Sequence, residues 1–455
     1  MQREGLGSLL REGLKVFGSP LNLIHTDPFV RNIEALLKTG RTRNLDLAVF
    51  FARKANKCLS FVDACRINGY GVDVASEVEL RQTLARGVLG SGIACTAAVK
   101  SRSLLETCLQ NDVCVVMDNS DELELAASVA KGRSRSLRVA LRLAGFEFEG
   151  RALESRFGFP LREVPELLRR PEWRSLALEG LHFHLDGYCP KQRIAALAQC
   201  LDLYDSLETA MDRRIAFIDC GGGVPMSYLE SERQWNDFWK AHEDALLGRG
   251  DPVTFGNNGY GRIVVDGHLH GQVKRYPFYQ SLVQDQWLER ILDAPCQGAT
   301  IAEALAKRGL QLRLEPGRSV LDGSGVTAAE VAFRKRHSNG QPLVGLAMNH
   351  TQCRTSSVDF FADPLLYRSG GETGQVSLSG DDSAFLVGAY CTESEFLSLR
   401  RFHFPEGVAV GDIVVFPNTA GYFMHFRESR SHQFPLAKNI DITQGTLRVD
   451  ACERS

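Results

Sequence analysis

Apolar runs of strand length recur through the first 316 residues, and between them apolar positions repeat at helical spacing. The runs are LDLAVFFA (45–52), GVDVA (71–75), GIACTA (92–97), VCVVMD (113–118), LRVALRL (137–143), LEGLHFHL (178–185), IAFIDC (215–220) and LQLRLEP (310–316). The connecting CLSFVDACRING, SEVELRQTLARG, SRSLLETCLQN and SDELELAASVAKG read as helices. Ser76 and Glu79 predict a capping box on the second, and the third is expected to start near Ser101 or Ser103. Eight strands alternating with helices predict an α/β fold, a (β/α)8 TIM-type barrel, whose chemistry gathers at the C-terminal strand ends.

After about residue 325 the pattern changes to short β-type runs between glycine-rich turns: VTAAEVAF, PLVGLAM, VSLSG, AFLVGAY and GDIVVFPN. This predicts a C-terminal all-β domain. The expected organisation is a barrel over 26–325 with a long insertion at about 224–309, and a β domain of 1–25 plus 326–455. Within the insertion, GDPVTFGNNGYGRIVVDGHLHG (250–271) predicts a hairpin.

Composition narrows the function. Hydrophobic content of 44%, charged content of 24% and a net charge of -2 are ordinary for a globular chain and point away from nucleic acid or an anionic membrane. No run is long enough to span a bilayer, and the N-terminus lacks a signal-peptide core. Twelve cysteines without a CxxC pair argue against a zinc ribbon or a disulfide framework, so a cytoplasmic chain with reduced thiols and a small-molecule partner is expected.

The unusual residues gather at one end of the predicted barrel. Lys54, flanked by Arg53 and Lys57, closes an apolar run, where an unpaired ammonium is costly unless it serves as an amine nucleophile. Asp73 lies near the end of strand two, His184 is expected to end strand six, Gly221, Gly222 and Gly223 follow strand seven, and Glu315 is expected to end strand eight. Loops after strands seven and eight of such barrels commonly bind phosphate, and DCGGGVP and EPGRS supply glycines there, with Arg318 adding charge. A phosphate site facing an aldehyde-capturing lysine points to pyridoxal 5'-phosphate (PLP). Blander readings stand beside these. Lys54 could reach solvent, GGG could be a tight turn, Asp73 a turn residue and Cys391 a small buried hydrophobe. His182 and His184 share a strand face and could ligate a metal, as in barrel hydrolases, but that pair belongs on a first strand; no metal is expected.

The motifs ARKAN, GVDVASEVEL, SRFG (155–158), LHFH, DCGGG, EPGR, GAYCTESE (388–395) and VGDIVVFPNTAGY resemble, in order, those of the fold-type III PLP-dependent decarboxylases, the ornithine and diaminopimelate decarboxylase group. The resemblance covers most of residues 45–425. It implies that Lys54 carries PLP as a Schiff base, Glu315 pairs with the pyridine nitrogen and His184 stacks on the ring. Gly222, Gly223, Gly317, Arg318 and Tyr422 bind the phosphate. Asp73 is expected to orient Lys54. The resemblance further implies a homodimer with shared active sites, in which Cys391 serves the neighbouring subunit and protonates the decarboxylated carbon, and Glu395 shapes the substrate-tail pocket.

Three departures bear on the substrate. Where the family has Gly-Ser after the stacking histidine, this chain reads Leu185, Asp186, Gly187, Tyr188. Thr392 stands where relatives place an acid that grips a distal amine. The segment 348–366 is reworded, and its Arg354 could meet an acidic tail. The function expected is decarboxylation of a diamino acid or carboxylated amino-acid derivative. The alternatives are an amino-acid racemase or epimerase on the same fold, or a non-catalytic PLP-binding protein.

Overall fold

A computed structural model describes residues 3–210, 215–273, 276–355, 360–369 and 382–454. The chain forms two units, one of Phe29–Pro225 with Leu282–Val320, the other of Met1–Pro28, Met226–Ser281 and Leu321–Arg454.

The first unit is the barrel. Its strands are Leu47–Ala52, Gly71–Val74, Ile93–Cys95, Cys114–Met117, Leu137–Ala144, Leu176–His182, Phe217–Asp219 and Gln311–Leu314. Each pairs in parallel with the next, and the eighth pairs with the first, which closes the ring. Apart from Asp73 the first four strands are apolar, as expected where both faces are covered, whereas Arg138, Arg142, Glu179, Gln311 and Arg313 interrupt strands five, six and eight. Helices Leu59–Asn68, Glu77–Ala85, Arg102–Gln110 and Ser120–Ala130 occupy the predicted connections. Phe29, Phe51 and Phe61 interlock under the first strand with ring centroids 5.0 to 6.0 Å apart.

Two local expectations are corrected. Ser76 caps the second helix by accepting the Glu79 N–H, but the Glu79 carboxylate reaches back to the N–H of Ala75, one residue before the cap. Strands six and eight end at His182 and Leu314, so His184 and Glu315 lie in the following loops. The ladder between strands six and seven stops at His182 opposite Asp219, where the backbone turns to the rim.

The second unit carries a nine-stranded sheet that includes Leu21–Ile24, Gly325–Arg336, Pro342–Leu346, Ser383–Val387, Ile413–Phe416 and Lys438–Asp441. Leu21–Ile24 pairs antiparallel with Gly325–Arg336 and parallel with Lys438–Asp441, so the N-terminal residues complete this sheet. The unit also holds helices Arg3–Phe17 and Glu232–Leu246. The expected 224–309 insertion is divided: 226–281 groups with the sheet, and 282–309 returns to the barrel. The reason is aromatic burial, since Trp235, Trp239 and Phe278 share one core with Leu346, Phe361 and Phe416. The predicted hairpin forms between Ile263–Val265 and His268–His270. The run at 376–380 lies outside the described residues. Among the described residues no helix is long and apolar enough to cross a membrane.

Candidate active site

A single 3-10 turn, Arg53–Ala55, ends the first barrel strand and lifts Lys54 to the rim. Arg53 anchors that turn from below, buried and donating to the carbonyl of Glu79 at 2.6 Å. The Lys54 ammonium donates to Asp73 Oδ2 at 2.7 Å, and the Thr96 hydroxyl donates to Oδ1 at 2.5 Å. Asp73 is fully buried, whereas the Lys54 side chain is 34% exposed. A fixed carboxylate therefore holds an amine that an aldehyde can still reach.

The turn after strand seven is shaped by close approach. Gly221 and Gly223 have φ of +65° and +79°, and a Cβ on Gly222 would fall 2.8 Å from the carbonyl oxygen of Glu315. Its backbone is thus bare of side chains, as in anion-binding turns, although the Gly221 N–H is already taken by Asp219 Oδ1 at 2.8 Å. The Gly222 N–H donates to His184 Nδ1 at 3.1 Å, which leaves the imidazole proton on Nε2. Desolvation and the nearby Lys54 charge hold His184 well below its usual pKa, so its ring is neutral. Gly317 is buried and Arg318 half-buried in the loop after strand eight.

Glu315 is 3% exposed. Its Oε2 lies 3.4 Å from His182 Nε2, and its Oε1 is buried with no partner. Burial, reinforced by Asp73, pushes its carboxyl up to about 8. Burial and Glu315 raise Asp219 to about 7, and burial lowers His182 to about 4. Donor atoms of His182, Asp219 and Glu315 lie within 4.8 Å of one another. The set could hold a metal, but burial favours the protonated form of both carboxyls and the neutral form of the imidazole, which suits a cation poorly. The orphaned oxygen suits the N–H of a protonated pyridine ring, the glycine turn suits a phosphate, and Lys54 suits an aldehyde. The residues present fit PLP. Asp219 and His182 were not expected as part of this group. Their position near the ends of strands seven and six was the available signal, which the sequence alone does not separate from that of Glu179, a polar residue of strand six that pairs with Arg138 instead.

SRFG also joins the rim. Arg142 stacks on Phe157 at 4.1 Å and faces Asp118 at 3.5 Å, and Asp118 accepts the Gly158 N–H at 3.0 Å.

The remaining expected residues lie in the second unit. Tyr422 sits in a turn at φ +71°, packed on Phe426. Cys391 is an exposed free thiol. It lines a cavity of about 620 Å³ together with Lys335, His337, Thr392, Glu393 and Glu395. The buried Glu395 carboxylate accepts the His350 N–H at 2.8 Å and pairs with its Nδ1, so it fixes the 349–353 turn. Arg354 donates to the carbonyl of Phe396 at 2.8 Å.

Residues 30–247 match the pyridoxal-dependent decarboxylase, pyridoxal-binding domain family. The uncharacterized protein y4yA of Sinorhizobium fredii is 30% identical over 94% of this chain and 89% of its own length. Diaminopimelate decarboxylase of Corynebacterium efficiens is 27% identical over 50% of this chain and 52% of that enzyme. In structure, diaminopimelate decarboxylase from Helicobacter pylori complexed with L-lysine superposes with a TM-score of 0.70 at 18% identity, covering 97% of each chain. The chain therefore belongs to the fold-type III PLP-dependent decarboxylases and is a PLP enzyme of the carboxy-lyase class.

Proposed function

We propose that this carboxy-lyase removes the α-carboxylate of a carboxylated amino-acid derivative and works as a cytoplasmic homodimer with shared active sites. One observation carries the site assignment. The Lys54–Asp73 pair lies at the barrel rim that also holds Glu315, whose buried Oε1 has no protein partner. When bound, PLP supplies the electron sink that decarboxylation requires.

The chain's own residues divide the work. Asp73 orients the Lys54 amine for covalent attachment of the cofactor. Glu315, through its unpartnered Oε1, would accept the N–H of the protonated pyridine ring. His184 offers a neutral ring for stacking, kept in one tautomer by Gly222. Within the barrel unit, Gly222, Gly223, Gly317 and Arg318 bind the phosphate, each a donor or a bare backbone. Cys391 of the partner subunit returns a proton to the α-carbon; its exposure suits a residue that serves another chain. Glu395 acts by fixing the 349–353 turn beside that loop, because its carboxylate is engaged by His350. Thr392 offers no charge for a distal ammonium, and Arg354 offers a cation for a distal carboxylate. Both features support a carboxylated tail over a diamino acid.

The test is incubation of the PLP-loaded enzyme with pooled L- and D-amino acids and their N- or side-chain-carboxylated derivatives in deuterated water, followed by mass spectrometry, with Lys54→Ala as control. A component that loses CO2 and gains one deuterium supports the assignment and identifies the substrate. Deuterium at the α-carbon with CO2 retained points to a racemase instead.

A further inference from the structure

The helix Pro190–Ala210 follows strand six, and its first turn carries Arg193. The side chain is wholly buried. Its Nη2 donates to the carbonyl of Leu185 at 2.9 Å, while Nε and Nη1 are buried without any hydrogen-bond partner. Among the described residues no carboxylate forms an ion pair with it. A buried guanidinium cannot shed its charge, so two idle donors in a dry site call for an anion.

The surroundings say where that anion belongs. Trp287 lies beside the guanidinium, with its ring centroid 5.5 Å from Cζ, and is itself fixed by donating to the carbonyl of Tyr188 at 2.8 Å. On the other side is the glycine turn. A Cβ added to Gly223 would fall 2.2 Å from Arg193 Nη2 and 3.1 Å from the carbonyl of Gly187. The guanidinium is therefore seated against bare backbone, between the turn after strand seven and the loop 185–188.

We propose that Arg193 is a phosphate-binding residue, its guanidinium acting as counter-charge to the phosphate monoester of PLP held on Gly222 and Gly223. The proposal rests on the reading of that turn as the phosphate cradle. Nη2 is the atom nearest the turn, and its second N–H forms a planar fork with an idle neighbouring nitrogen that matches two phosphate oxygens. The fork also answers the departure at Leu185–Tyr188, where this chain lacks a serine: a cation from the next helix takes over. Arg193 is absent from the motifs that the sequence displays because it sits nine residues past His184, on a helix, in no recognisable spacing.

The test compares PLP with pyridoxal, which lacks the phosphate, on the full chain freed of cofactor. Dissociation constants come from cofactor absorbance and tryptophan fluorescence for the wild type, Arg193→Met and Arg193→Lys. Arg193→Met is expected to weaken PLP by about 30-fold, as for loss of a charge-assisted hydrogen bond, and pyridoxal by less than about 3-fold. Arg193→Lys, which keeps charge but not the fork, should fall between, and it serves if the methionine variant does not fold. The stabilisation of the cofactor-free wild type by inorganic phosphate in thermal melts should vanish in the same variants. Equal weakening of PLP and pyridoxal would overturn the proposal and leave Arg193 as a support for the Leu185 carbonyl. A wild type that binds the two compounds equally would overturn the cradle assignment itself.

Discussion

Glu315→Gln tests whether the buried carboxyl is protonated in the cofactor-free protein. In the unfolded chain this group ionises near 4.5, and in the folded protein burial raises it to about 8. Below 4.5 both states keep the proton and folding carries no penalty. Between 4.5 and 8 only the unfolded chain releases it, so stability falls as pH rises through this window and levels off above it. At pH 7 the gap from 4.5 is two and a half pH units. At about 1.36 kcal/mol per unit this is a cost on the order of 3 kcal/mol. Asp219 is raised by the same neighbourhood, so the two titrate together and the share removed by one substitution is smaller, roughly 1–3 kcal/mol. Glutamine fills the same space without an ionisation. In thermal melts of the cofactor-free protein, Glu315→Gln should exceed the wild type by roughly 4–8 °C at pH 8, with the difference shrinking toward zero as the pH falls to 4.5 and below. Its decarboxylation rate should meanwhile fall steeply, because the ring nitrogen loses its proton partner. An equal Tm difference at both ends of this range would refute this account. A variant less stable than wild type at pH 8 would mean that Glu315 is ionised and paired with a charged His182.

Four further outcomes follow from the geometry. Lys54→Ala should abolish turnover and the visible absorbance of lysine-linked cofactor, while PLP still binds non-covalently through its phosphate. Asp73→Asn removes the charge that orients Lys54 and should slow cofactor loading and turnover by roughly 10- to 100-fold, in line with loss of one buried charge-assisted contact; stopped-flow absorbance measures it. Gly223→Ala forces a side chain into φ +79° and against Arg193, so PLP affinity should drop about tenfold or more at a strain of roughly 1–2 kcal/mol, with circular dichroism unchanged. Cys391→Ala should lower kcat by about 10²- to 10⁴-fold, the usual contribution of a general acid. Mixing it with Lys54→Ala should restore part of the activity if the two residues of one site come from different chains.

The architecture was legible where the signal is local. Eight apolar runs, the helices between them and the Ser76 cap can be read directly, because hydrophobic periodicity and capping act within a few residues; between Ser101 and Ser103 the structure chooses Ser101. Lys54, Asp73, Gly222 and Glu315 were legible too, since each stands out against an apolar strand or a glycine turn. The fate of 226–281 was not. Its tryptophans at 235 and 239 make an amphipathic helix that any apolar surface could accept, and the sequence does not say which.

The same limit holds within the site. Chain chemistry alone dictated which groups are present: an amine, carboxylates, imidazoles and a flexible glycine turn. Their states came from packing. Asp219 and His182 became partners of Glu315 only because strands six, seven and eight lie side by side, and the carboxyls were pushed upward only because closure of the barrel dried their surroundings. Arg193 reads in sequence as an ordinary helical arginine, and burial against Gly223 gave it a direction. Residue type and periodicity are encoded locally, whereas desolvation and proximity are sums over distant segments, and those sums exist only once the chain has closed on itself.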